Sequence, residues 1–157
     1  MIRRTLVALL AVATLMVPLA GQPTGDDAAI VAWLQAFDRA FVSKDLDTLS
    51  SFYHPDVTIF EGGGVNNGWV DYRDHHIGPE MKTYENLQFE HRQVAVHLLN
   101  GGGVAYVTSE YALKARVAGK DVDTGGLESL VLIKVSGAWK IRHSHTSARR
   151  RQAPAAH

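Results

Sequence analysis

Between residues 26 and 43 the apolar side chains Ile30, Trp33, Leu34, Phe37 and Phe41 fall three and four positions apart. That period is helical. With the capping residues at 24–27, it predicts an amphipathic helix from about Asp26 to Ser43. Lys44-Asp45 breaks the pattern, and Leu46, Leu49, Phe52 and Tyr53 predict a second, shorter helix that Pro55 ends. Val57 to Phe60 is a short β-type run, followed by a loop over 61–68 rich in glycine and asparagine. Trp69, Tyr72 and His76 then share one face of a third helix over 69–76, which Gly78-Pro79 is expected to stop.

After Lys82 the period changes from helical to alternating. Leu87–Leu99, Val104–Val117, Val122–Val135 and Trp139–Ser147 read as four long strands joined by short glycine-containing turns. A bulge is expected at Gly125-Gly126. Short connections favour an antiparallel meander. Helices first and strands after predict an α+β domain, a cone-shaped roll in which three N-terminal helices pack on a curved, mostly antiparallel sheet.

The chain of 157 residues suits one domain. Its beginning reads differently from the rest. Arg3 and Arg4 precede an apolar run from Leu6 to Leu19, and the small residues Ala20 and Gly21 follow. This layout predicts a secretory signal peptide over residues 1–21 and an exported product, periplasmic or secreted. The run is short for a membrane span, though an uncleaved N-terminal anchor is the other reading. The folded domain is expected over 22–148, with a disordered tail over 149–157 that carries Arg149, Arg150 and Arg151.

Lys and Arg number 16, as do Asp and Glu, so the chain is formally neutral. The one basic cluster lies in the tail without an aromatic platform, which argues against nucleic-acid binding. There is no cysteine, which excludes disulfides, thiolate catalysis and cysteine metal ligands. A small core without disulfides makes a homodimer a natural expectation.

Candidate chemistry concentrates on the last strand. With strict alternation Trp139, Ile141, His143, His145 and Ser147 share a face, and Lys140, Arg142, Ser144 and Thr146 share the other. Trp139 and Ile141 mark the core side, so His143, His145 and Ser147 are expected to point inward as catalytic candidates. Two histidines there could bind an anion or carbonyl, ligate a metal, move a proton, or simply be held by buried hydrogen bonds. No metal-ligand signature and no cofactor motif appears. Glu128 and Glu110 could orient a histidine if they face inward, or lie on the solvated side. Tyr72 and His76 are expected near the mouth of the cone, where Glu61 could reach its rim. Trp33, Phe37 and Tyr53 are expected as pocket wall. His54, His91 and His97 have weaker cases.

The order of elements, Lys44-Asp45-Leu46-Asp47-Thr48-Leu49 before Tyr53-His54-Pro55-Asp56-Val57, Gly68-Trp69 to His76, and the final Trp139–Ser147 run resemble the SnoaL-like (nuclear-transport-factor-2-like) superfamily. More narrowly they resemble the subgroup related to the association domain of calcium/calmodulin-dependent kinase II. The resemblance covers about residues 26–148. The stretch His143-Ser-His-Thr-Ser147 is also similar to the C-terminal motif of iota-class carbonic anhydrases, three histidines followed by two serines. Ser144 and Thr146 depart from it.

The resemblance implies a cone with a pocket and leaves three readings. One is a small-molecule binder. Another is an enzyme: a hydro-lyase holding bicarbonate or CO2 near His145 and Ser147, or an isomerase or cyclase with a histidine base. The third is an interaction module that dimerises through its exposed sheet.

Overall fold

The computed structural model describes residues 25–150, with side chains to residue 148. The expected signal peptide lies outside the described residues, as does the tail from residue 151. Helix α1 (Gly25–Val42) buries Ile30, Leu34, Phe37, Ala40 and Phe41. Helix α2 (Leu46–Ser50) is capped by Asp45, whose carboxylate accepts from the Thr48 backbone N–H at 2.9 Å. It is shorter than its apolar pattern suggests. Strand β1 (Tyr53–Glu61) begins at once and takes Tyr53 and Pro55 with it.

The glycine-rich stretch is a hairpin: β2 (Gly64–Asn67) folds back on β1. Helix α3 (Trp69–Tyr72) runs into a π-helical turn, Arg73–Ile77, and then into α4 (Gly78–Thr83). Gly78-Pro79 therefore does not stop the helix as expected. The wide turn resets the backbone ladder, and Pro79 sits in the first turn of α4, where a missing N–H costs little. Only glycine fits at 78, because a Cβ there would lie 2.3 Å from the Arg73 carbonyl oxygen.

The remaining strands are β3 (Glu85–Leu99), β4 (Val104–Val117), β5 (Lys120–Val135) and β6 (Ala138–Arg150). Strand β6 thus runs two residues into the stretch expected as tail. The six strands form one sheet in the order β2-β1-β6-β5-β4-β3. All neighbours are antiparallel except β1 and β6, which are parallel. The architecture is α+β, with mainly N-terminal helices packed against a six-stranded mixed sheet. No helix among the described residues is long and apolar enough to cross a membrane.

The core lies between α1 and that face, where Ala105, Val107, Leu130, Leu132 and Ile141 are almost fully buried. Irregularities in the pairing then decide what faces it. The expected bulge at Gly125-Gly126 is absent, since β5 pairs in unbroken register there. Gly126 instead lets two backbones meet, a Cβ there falling 1.8 Å from the Ser147 carbonyl oxygen. The bulge that matters lies on β6: Leu132 pairs with Ile141 but Val131 pairs with His143, leaving Arg142 as an extra residue.

Candidate functional site

The Arg142 bulge reverses the alternation of β6. Before it, Trp139 and Ile141 are buried. After it, Ser144 is buried and Thr146 is half-buried, while His145 and Ser147 are exposed. The inward orientation expected for His143, His145 and Ser147 is therefore corrected. Both imidazoles pack edge-on against Phe60, which is itself 39% exposed, at 5.0 and 6.0 Å. The local cause lies in β1, where Tyr53 pairs with Ile141 and Thr58 with His143, so that five residues of one strand span the length of two of the other. Arg142 turns its guanidinium to the Asp56 carbonyl at 2.5 Å and closes the gap.

Ser144 and Thr146 face a cavity of about 60 Å3 between the helices and the sheet. Seven aromatic rings contribute to its wall, with Ile59, Ile77 and Leu113. Three carboxyl groups reach it: Glu61 from the end of β1, Glu80 from α4 and Glu128 from β5. Of the expected pocket residues, Tyr72, Phe37, Tyr53 and Glu128 do line it. Trp33 does not; it packs on Phe52, 5.1 Å between ring centres. Glu110 does not either, because Ser109 and Tyr111 take the inward positions of β4 and Glu110 faces outward. His76 stands beside the mouth rather than in the wall. Its Nδ1 bonds Asn66 Oδ1 at 2.9 Å, and its Nε2 lies 3.7 Å from Glu61 and 3.5 Å from Glu80.

Each carboxyl has a different environment. Tyr72 Oη donates to Glu61 at 3.2 Å, and Tyr84 Oη donates to Glu80 at 3.0 Å. Burial pushes the Glu61 carboxyl up, the facing His76 pulls it down and Glu80 pushes it up again, for a net rise above the usual carboxylate range. Glu128 accepts from Ser144 Oγ at 3.0 Å and faces His91 Nε2 at 2.5 Å. On the far side, His91 Nδ1 meets Asp38 Oδ1 of α1 at 2.6 Å. Carboxylate oxygens only accept, so both ring nitrogens must donate, and His91 is an imidazolium. Burial alone would push its pKa down. The two carboxyl groups outweigh burial and raise it to about 9. The His91 side chain is 2% exposed, so this ion triad is an internal strut that fixes the position of Glu128.

The tyrosines remain neutral hydrogen-bond groups. Burial, with Glu128 and Glu61 nearby, pushes the Tyr53 hydroxyl well above its ordinary value and lifts Tyr111 to about 12. Among the described residues, neither of these two hydroxyls has a hydrogen-bond partner, although each residue is 8% exposed. Thr146 Oγ1 is buried without a partner as well. Buried polar atoms are ordinarily satisfied, so Thr146 Oγ1 stands out on the cavity wall, as Trp69 Nε1 and Ser109 Oγ do outside it.

The SnoaL-like domain profile matches residues 30–150. The chain belongs to the SnoaL-like domain family. No curated protein matches it. Among solved structures it is similar to a proposed ketosteroid isomerase from Shewanella frigidimarina, at 29% identity and a TM-score of 0.67, covering 78% of this chain and 98% of that one. It is similar to a proposed calcium/calmodulin-dependent protein kinase II association domain from Xanthomonas campestris, at 19% identity and a TM-score of 0.70, covering 83% and 93%. A proposed scytalone dehydratase from Novosphingobium aromaticivorans follows at 16% identity and a TM-score of 0.67, covering 82% and 89%. The last two likenesses concern the fold. The SnoaL-like fold thus carries both enzyme and assembly names, and only the site of each chain can decide between them.

Sequence reasoning missed Glu80, Tyr84, Tyr111, Ser144 and Thr146. Tyr111 was accessible from the alternation of β4, because it stands in phase with the apolar Ala105, Val107 and Leu113. Glu80 and Tyr84 were hidden by the expectation that Gly78-Pro79 ends the helix.

Proposed function

We propose that this chain is an exported SnoaL-like protein that binds a small molecule in the cavity between Glu61 and Glu128. The carrying observation is that Tyr53 and Tyr111, whose hydroxyls have no hydrogen-bond partner among the described residues, line an aromatic cavity that three carboxyl groups also reach. Apolar walls with a few placed polar groups are the make-up of a ligand site. Export rests on the signal-like segment over 1–21 alone. Native mass spectrometry of the gently purified protein tests the binding reading. The expected result is a retained small molecule, lost on Tyr53→Phe/Tyr111→Phe. Retention undiminished in that variant would refute a cavity ligand.

A second reading is proton-transfer catalysis on the bound molecule. The raised Glu61 carboxyl beside the Tyr72 hydroxyl supports it, as a proton donor and acceptor pair within reach of one ligand. The carbonic anhydrase reading has no comparable support, since His143, His145 and Ser147 lie outside the cavity. Pairing with a second copy through the outer face of the sheet is supported by the exposure of Phe60, Tyr106 and Leu127. Sedimentation of Leu127→Glu tests it, a shift to monomer being expected.

A further inference from the structure

The wall of the cavity holds three carboxyl groups and no lysine, arginine or histidine. We infer that its ligand is a small organic cation whose ammonium head group enters among Glu61, Glu80 and Glu128. This inference rests on the binding reading above and adds the charge and chemical class of the ligand.

The charge count is uneven. Four carboxyl groups gather here, counting Asp38 behind Glu128, and two imidazoles face them: His91, shared between Asp38 and Glu128, and His76, beside Glu61 and Glu80. Two imidazoles match at most two of the four. A neutral ligand would leave that imbalance in place, and an anion would worsen it in a site of low dielectric. An ammonium ion corrects it, since its N–H groups donate strong charge-assisted hydrogen bonds to carboxylate oxygens.

The rest of the wall fits the same class. Seven aromatic rings surround the space, and a cation is drawn to ring faces within about 6 Å. The unpartnered hydroxyl oxygens of Tyr53 and Tyr111, each residue 8% exposed, are further acceptors for N–H. Size adds a limit. Cavities for whole drug-sized ligands run from about 300 Å3 upward, whereas this one is about 60 Å3. It therefore takes a charged head group. The mouth lies between Glu61 and Glu80, whose side chains are 33% and 44% exposed, and the rest of the ligand passes there.

Calorimetric titration of the purified protein with n-butylammonium, 1-butanol and butyrate, molecules of similar length and different charge, tests the inference. Butylammonium is expected to bind at least roughly tenfold tighter than butanol, and butyrate more weakly than either. Glu80→Gln, a change at the half-exposed mouth, is expected to weaken butylammonium by roughly three- to tenfold and leave butanol unchanged. Butanol binding as tightly as butylammonium would overturn the cation and leave the binding reading intact. A preference for butyrate would do the same. If none of the three binds, the binding reading falls and the cation with it.

Discussion

Ser144 Oγ donates to Glu128 Oε1 at 3.0 Å across two neighbouring strands. That contact places Ser144, and not the histidines on either side of it, against the cavity. Ser144→Ala is expected to weaken a cavity ligand by roughly three- to tenfold through the loosened Glu128, as loss of one such bond implies. His143→Ala and His145→Ala are expected to leave affinity unchanged. Calorimetry on the three variants with one ligand checks this.

His91 gives the fold a pH dependence of defined sign. Its pKa is about 9 in the folded protein against 6.5 as the ordinary value. A raised histidine contributes stability that is complete below about 6.5 and disappears as pH climbs to about 9. The difference corresponds to about 3 kcal/mol. Urea unfolding across that window is expected to show stability falling with pH. In His91→Gln the slope is expected to flatten and the protein to be weaker at neutral pH, since two buried carboxyl groups lose their shared counter-charge.

Glu61 acts in the opposite sense. Its raised carboxyl carries a cost once pH exceeds the folded value, and none below the ordinary value of 4.5. Glu61→Gln is expected to raise the melting temperature at neutral pH by roughly 2–6 °C and to give no gain below 4.5. Thermal unfolding at the two pH values measures it.

The amphipathic period of α1, the change to alternation after Lys82 and the turns between strands were legible because they are local. The site was only half legible. Phe37 and Tyr72 line the cavity from the helical faces that their spacing marks, whereas Tyr53 lines it from a strand where its spacing suggests a helix, and the facing of Glu128 is set by the strand pairing. His143 and His145 do not line it, because one extra residue at Arg142 shifts the side chains from His143 to Ser147 to the other face. Nothing local marks that bulge. It arises from the parallel neighbour β1, which is distant in sequence. His91 shows the same limit, since its partners Asp38 and Glu128 are 53 and 37 residues away.

Gly126 offers a test of the sheet itself. A Cβ there would meet the Ser147 carbonyl oxygen at 1.8 Å and its carbon at 2.7 Å, both backbone. Gly126→Ala must separate β5 from β6 next to Glu128 and is expected to cost about 3 kcal/mol or more. Gly103→Ala, where the added Cβ would lie 3.8 Å from the Asn100 carbonyl oxygen, is expected to be mild by comparison. Denaturant unfolding of both variants decides it.

Entry of a ligand into the cavity between Glu61 and Glu128 can be reported by the chain's five tyrosines. Tyr53, Tyr72, Tyr84 and Tyr111 line the cavity, while Tyr106 lies on the outer face, 41% exposed and stacked on His97. The measurement is a ring-labelled tyrosine NMR titration with butylammonium, butanol and butyrate in turn, each signal assigned by its Tyr→Phe variant. At least one of the three is expected to move the four cavity signals together and leave Tyr106 in place. Cavity signals unmoved by every one of them, or movement confined to Tyr106, would contradict ligand entry.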